Sequence, residues 1–186
     1  MKIQIDNLIP IQQEVNKKVR EKLNNDLDSG DFVLAFNVEF FEYINAVGTW
    51  KWWKHSHEIK KEVILDELAD CFAFFLSIVD YENQMRILNE TEYDFISKIE
   101  TELNNILETL KQYVEKRDDM VKEELLMDFC KYVGTDNESE SVPTVERFTI
   151  AIFMATVLFN DITWEDMTEA YKRKSKINIQ RQVEDY

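Results

Sequence analysis

The sequence predicts an all-α protein, a helical bundle built as one domain. Three observations carry the prediction. Only 3 Gly and 2 Pro occur in 186 residues, so turn-rich β architectures lack their usual material. Hydrophobic residues make up 45% of the chain, enough to bury a core at this length. Apolar residues recur at helical spacings over most of the chain, which has no low-complexity tract and no internal repeat.

Pro10 opens a helix expected over 9–27, with Ile11, Val15, Val19 and Leu23 as its apolar stripe. The cluster Asp28-Ser29-Gly30-Asp31 is expected to end it. The segment 32–47 is apolar nearly all round, as in a helix enclosed by others, and Gly48 stops it. The Trp-rich stretch 50–57 reads as a loop, with Ser56 as cap of a third helix over 58–80. Thr91 and Asp94 open a long, exposed helix over 92–116, with Tyr93, Ile96, Ile99, Leu103, Ile106 and Leu110 on its inner face. A helix over 120–133 and a flexible connection at 134–143 follow. A strongly apolar helix over 145–159 comes next, and Thr163 begins a last helix carrying Lys172, Arg173, Lys174, Lys176 and Arg181.

The chain carries 37 acidic and 22 basic residues, a net charge of −15. That balance excludes non-specific attachment to nucleic acid or to anionic membrane. No stretch approaches the length of a transmembrane helix, and the first residues lack a signal peptide, so the expected location is the cytoplasm. Cys71 and Cys130 stand far apart in apolar contexts and read as buried free thiols.

Two pairs of acids interrupt apolar helices: Glu39 and Glu42 in the second, Glu67 and Asp70 in the third. Spacing alone says little, because with acids at 37 of 186 positions roughly seven such pairs arise by chance. Context says more. Ionised carboxylates in an apolar wall cost several kcal/mol each unless a cation accompanies them. Four oxygen donors without His or Cys suit Mg²⁺ or Mn²⁺ and disfavour zinc. A salt-bridge network is the plainer alternative, although these two helices hold few basic residues. A ferritin-like di-iron site needs Glu-x-x-His, and the two histidines, His55 and His57, do not supply it.

The arrangement Glu39-x-x-Glu42 and Glu67-x-x-Asp70 resembles the paired acidic signature of the all-α nucleoside triphosphate pyrophosphatase superfamily, which includes MazG-like enzymes and dimeric dUTPases. Gln13-x-x-Asn16, the Trp-rich segment from Trp50 to Lys54, and Lys174-x-x-x-Asn178-x-x-Arg181 are similar to the dimeric dUTPase branch. The likeness covers roughly 8–82 and 145–186, leaving about 83–142 as a variable helical insert in a single domain over 1–186.

The resemblance implies a homodimer that uses Mg²⁺ to hydrolyse dUTP, and dUDP, to dUMP. Glu39, Glu42, Glu67 and Asp70 are then the metal ligands, and Glu39 also activates the attacking water. Uracil's edge carries donors and acceptors that side-chain amides satisfy, which suits Gln13 and Asn16 as readers of the base. Trp52 is the first choice for stacking on it, with Lys51 and Lys54 competing for the neighbouring basic role. Lys174, Asn178 and Arg181 would meet the phosphates, Arg181 through its two-pronged guanidinium. Where many relatives place a His after the second acidic pair, this chain has Phe72, Ala73, Phe74 and Phe75, a departure on the sugar side. Two rival readings remain. One is a related pyrophosphatase of other base preference, such as dCTP. The other is a helical protein that binds a regulatory repressor through 83–142, as some phage members do.

Overall fold

The computed structural model describes residues 2–23, 27–48, 51, 53, 60–89, 94–115, 142–158 and 161–184. These form six helices and, among the described residues, no strand: α1 Ile9–Arg20, α2 Ser29–Val47, α3 Lys61–Leu88, α4 Phe95–Glu115, α5 Val142–Leu158 and α6 Trp164–Val183. The all-α prediction holds.

Helix α1 ends at Arg20, seven residues before the expected stop at 27. Leu23, the last member of the expected stripe, is exposed and gains nothing from another helical turn. The buried face is Ile9, Gln12, Val15 and Asn16, so two amides take places that the apolar pattern gave to Ile11 and Val19. They are tolerated inside because each finds hydrogen-bond partners.

The Asp28 to Asp31 cluster opens α2 rather than closing α1. Asp28 Oδ1 accepts from the Asp31 backbone N–H and Asp31 Oδ2 accepts from that of Asp28, both at 3.1 Å, a reciprocal capping box. At the other end Gly48 has φ 69°, and its N–H reaches the Ile44 carbonyl at 3.0 Å. A side chain there would be strained. Helix α2 is not enclosed by the described residues. Phe32, Phe36, Phe40, Tyr43 and Val47 face the core, whereas Leu34, Val38 and Phe41 are 67%, 49% and 59% exposed. An apolar sequence all round here means two apolar faces, of which the described residues cover one.

Helix α3 runs eight residues past the expected end at 80, since nothing between Tyr81 and Leu88 breaks a helix. Its buried residues span Ile64 to Asp80. The aromatic centre of the core joins three helices: Phe75 stacks on Phe148 with ring centroids 4.2 Å apart, and Phe72 lies 5.0 Å from both Phe148 and Tyr171. The expected cap at Ser56 lies outside the described residues.

Helix α4 starts at an Asp94 cap, whose Oδ1 accepts from the Ser97 N–H at 3.1 Å. It is less exposed than the sequence suggested. Phe95, Ile99, Leu103 and Leu107 are buried, α4 packs on α5, and the N-terminal segment is pinned along it. Asn104 holds both the N–H and the carbonyl of Ile3 at 2.9 Å, and Glu100 accepts from the Ile5 N–H at 2.6 Å. This first part of the middle segment therefore belongs to the core. Thr91, Tyr93, the expected helix at 120–133, Cys130 and most of the connection at 134–143 lie outside the described residues.

Helix α5 is buried almost throughout, from Phe148 to Ala155, and Tyr43 ties α2 to it by donating to the Ala151 carbonyl at 3.1 Å. Thr163 caps α6 as expected: its Oγ1 accepts from the Asp166 N–H at 3.1 Å while Asp166 Oδ2 accepts from the Thr163 N–H at 2.7 Å. Those bonds hold the Asp166 carboxyl below its usual range. Among the described residues no helix is long and apolar enough to cross a membrane.

Candidate metal and nucleotide site

Helices α2 and α3 pack side by side and bring the two acidic pairs together. One carboxylate oxygen from each of Glu39, Glu67 and Asp70 lies within 4.8 Å of the other two. Each of the three is partly buried, while Glu42, one turn beyond Glu39, is exposed at the rim. Three of the four expected ligands thus form the cluster and the fourth stands beside it.

The electrostatics of this cluster are unfavourable for bare carboxylates. Burial, followed by the charges of Asp70, Glu42 and Glu67, pushes the Glu39 carboxyl up to about 7. Burial and the charges of Glu42 and Asp70 raise Glu67, and burial raises Asp70. Among the described residues, the close counter-charge comes from α6. Lys174 Nζ lies 2.7 Å from Asp70 and 2.9 Å from Asp66, and Arg173 approaches Asp66 at 3.8 Å. Burial opposes the charge on Lys174, but its bonds to Asp70 and Asp66 outweigh that and raise its pKa. The salt-bridge alternative is therefore met at Asp70, while Glu39 and Glu67 have no ion-pair partner among the described residues.

Hard oxygen donors at this separation, short of positive charge, fit a Mg²⁺ or Mn²⁺ ion. Cys71, although next to Asp70 in sequence, is buried and is not among the side chains whose ligand atoms converge here.

Of the remaining expected site residues, Gln13 is exposed and donates from Nε2 to Asp80 Oδ1 at 2.7 Å. Asn16 is buried, its Oδ1 accepting from Gln12 Nε2 at 2.9 Å and from Ser77 Oγ at 3.0 Å. Lys174 faces the acids, Asn178 is partly buried one turn on, and Arg181 is exposed near the end of the helix. Trp52, Lys54, His55 and His57 lie outside the described residues. Phe72 and Phe75, which fall where a His stands in many relatives, are buried in the aromatic core.

Sequence reasoning missed Gln12, Asp66, Ser77, Asp80 and Tyr171. Ser77 and Asp80 had a usable signal, as polar residues inside the apolar run from Phe72 to Val79 and at its end. Gln12 had none, since its neighbour Gln13 fits the family spacing better. Asp66 lies four residues before Asp70 on the same helix face, and the two share Lys174.

A family model described as dUTPase matches residues 4–186, and so spans the middle segment as well as both acidic pairs. A search of curated proteins finds no match. With nearly the whole chain aligned to one family model, an all-helical fold, and the acidic cluster that hydrolysis of a phosphoric anhydride calls for, the protein is an enzyme that belongs to the dUTPase family.

Proposed function

We propose that the protein is a Mg²⁺-dependent dUTP diphosphatase that cleaves the anhydride between the α- and β-phosphates, giving dUMP and pyrophosphate, and that it also takes dUDP. The observation that carries this reading is the triad Glu39, Glu67 and Asp70, whose carboxylate oxygens converge within 4.8 Å and whose pKa values are raised, first by burial and then by the neighbouring acids. A divalent cation held there supplies the charge that draws in a triphosphate and acidifies the attacking water.

The chain's own groups divide the rest of the work. Glu39 accepts the water's proton at its carboxylate, which favours ionisation once positive charge is present. Glu42 stands at the rim on the same helix as a further oxygen donor. Lys174, released from Asp70, turns to the phosphates, and Asn178 and Arg181 extend that contact along α6. Gln13 and Asn16 read the uracil, Trp52 stacks on it, and Lys54 supplies the basic group of the pocket.

The chain assembles as a homodimer through the second face of α2. Leu34, Val38 and Phe41 recur at four and three residues, so they form one stripe, and a partner helix is what an exposed apolar stripe of this kind accepts.

Turnover of dUTP, dUDP, dCTP, dTTP and UTP with and without Mg²⁺ tests the proposal. Preference for dUTP with strict cation dependence is expected, and equal turnover without metal refutes it. The Glu39→Gln enzyme should lose at least about 100-fold in kcat while keeping its helical content. Near-normal rates in that variant would remove the base role from Glu39.

A further inference from the structure

Asn16 and Gln13 sit one turn apart on α1, and each has one end of its amide occupied. Gln12 Nε2 donates to Asn16 Oδ1 at 2.9 Å and to Ser77 Oγ at 3.0 Å, and the Tyr171 hydroxyl donates to Gln12 Oε1 at 3.0 Å. Asn16 Nδ2 has no partner among the described residues and stays in contact with solvent. On the neighbouring position Asp80 accepts from Gln13 Nε2 at 2.7 Å and, through its other oxygen, from Gln84 Nε2 at 2.8 Å. Gln13 Oε1 is left without a partner among the described residues.

An amide is turned by its partners, and here the turning begins at Asp80 and at Tyr171. Both Asp80 oxygens accept, one from Gln13 and one from Gln84, so Gln13 offers its nitrogen there and faces outward with the oxygen. Tyr171 is fully buried, and burial raises its pKa, so it stays a hydroxyl whose hydrogen needs an acceptor. It gives that hydrogen to Gln12 Oε1 at 3.0 Å, with the Ser175 side chain as its other neighbour. Turning Gln12 and Asn16 together would keep their mutual bond but break the one from Tyr171 to Gln12 Oε1.

We infer that Tyr171, Gln12 and Ser77 on one side, and Asp80 on the other, are positioning residues that set an outward donor at Asn16 and an outward acceptor at Gln13, a pattern that matches uracil and opposes cytosine. Uracil presents a carbonyl oxygen beside an N3–H, which this pair satisfies. Cytosine presents an amino group beside a bare N3, so both contacts become like against like. Thymine has the same edge as uracil, so this device does not separate dUTP from dTTP. The inference rests on the reading of Gln13 and Asn16 as base contacts. Placement agrees with it: Ser77 lies seven residues past Asp70 on α3, two turns on nearly the same face, or about 10 Å along the axis.

Two variants test it. In Asn16→Asp the outward nitrogen becomes an oxygen, and the ratio of kcat/KM for dUTP over dCTP should fall roughly 100-fold, with dCTP gaining in absolute terms. In Tyr171→Phe the shape is kept and the polarity is released, so the same ratio should fall about tenfold with little change in kcat for dUTP. Calorimetric binding of α,β-imido dUTP and α,β-imido dCTP with Mg²⁺ reads base selection apart from turnover. An unchanged ratio in Asn16→Asp overturns the donor, and an unchanged ratio in folded Tyr171→Phe overturns the chain of bonds that sets it. Wild-type enzyme that takes dUTP and dCTP equally also overturns it, yet leaves a nucleotide diphosphatase. Selective binding of the dUTP analogue without turnover supports it, while refuting the proposed activity.

Discussion

The charge deficit in the acidic cluster makes a measurable statement about stability. Glu39 is raised from 4.5 to about 7. An acid that holds its proton more tightly when folded gives the native state more bound protons between those values, so its contribution to stability is complete below about 4.5 and is lost as pH climbs to about 7. Taken at full weight the shift corresponds to about 3 kcal/mol. Because Glu39 is only partly buried, solvent screening reduces this to about 1–2 kcal/mol. Glu67 and Asp70 shift the same way and add to the slope. In chelator, the protein should therefore melt at a lower temperature at pH 8 than at pH 5.5. Glu39→Gln should reverse part of that loss, raising the melting temperature at pH 8 by about 3–6 °C. Protection by Mg²⁺ should grow over the same window, because the ionised cluster is the form that binds the ion. Thermal melts at four pH values, with chelator and with Mg²⁺, measure all three. A Glu39→Gln protein no more stable than wild type at pH 8 in chelator, or Mg²⁺ protection that does not change with pH, would refute the reasoning.

Other perturbations reach separate parts of the structure. Lys174→Met removes the cation 2.7 Å from Asp70; Mg²⁺ affinity without nucleotide should rise about tenfold and affinity for α,β-imido dUTP should fall by a similar factor, both read by calorimetry. A loss of both affinities would mean that Lys174 only supports the fold. Phe41→Lys places a charge in the exposed α2 stripe and should convert a dimer to monomer in sedimentation velocity while leaving the circular dichroism unchanged. Thr163→Ala removes the cap of α6 and should cost about 1 kcal/mol, a fall of about 2–4 °C in melting temperature, without altering dUTP turnover at 25 °C.

The helical pattern was legible because apolar spacing and capping chemistry are local. Thr163 and Gly48 were placed correctly for that reason. Asp28 to Asp31 was assigned to the wrong side of its boundary, since the same polar residues that end one helix also cap the next, and only the reciprocal bonds decide between them. The end of α3 was missed because burial stops at Asp80 while the backbone continues as helix to Leu88. At the site, the acids were visible as charges inside apolar runs. The pairing of Lys174 with Asp70 was not, because it joins residues 104 apart and depends on how α6 crosses α3. Gln12 was invisible for a related reason: only a buried hydroxyl on another helix distinguishes it from Gln13.

Helix α3 supports both ends of the proposed site. Glu67 and Asp70 belong to the acidic cluster, and Ser77 and Asp80, further along, hold the amides of α1. Packing against α2, α5 and α6 fixes the helix over this stretch, and its residues from Leu76 to Asp80 are fully enclosed. If Gln13 and Asn16 read the base as proposed, the distance from base to acids is set by helical rise rather than by a loop. A mismatched pyrimidine must either leave the amides unsatisfied or draw its phosphates away from the acids. On this geometry a poor base fit appears in kcat as well as in KM, because the same rigid rod positions both ends of the substrate.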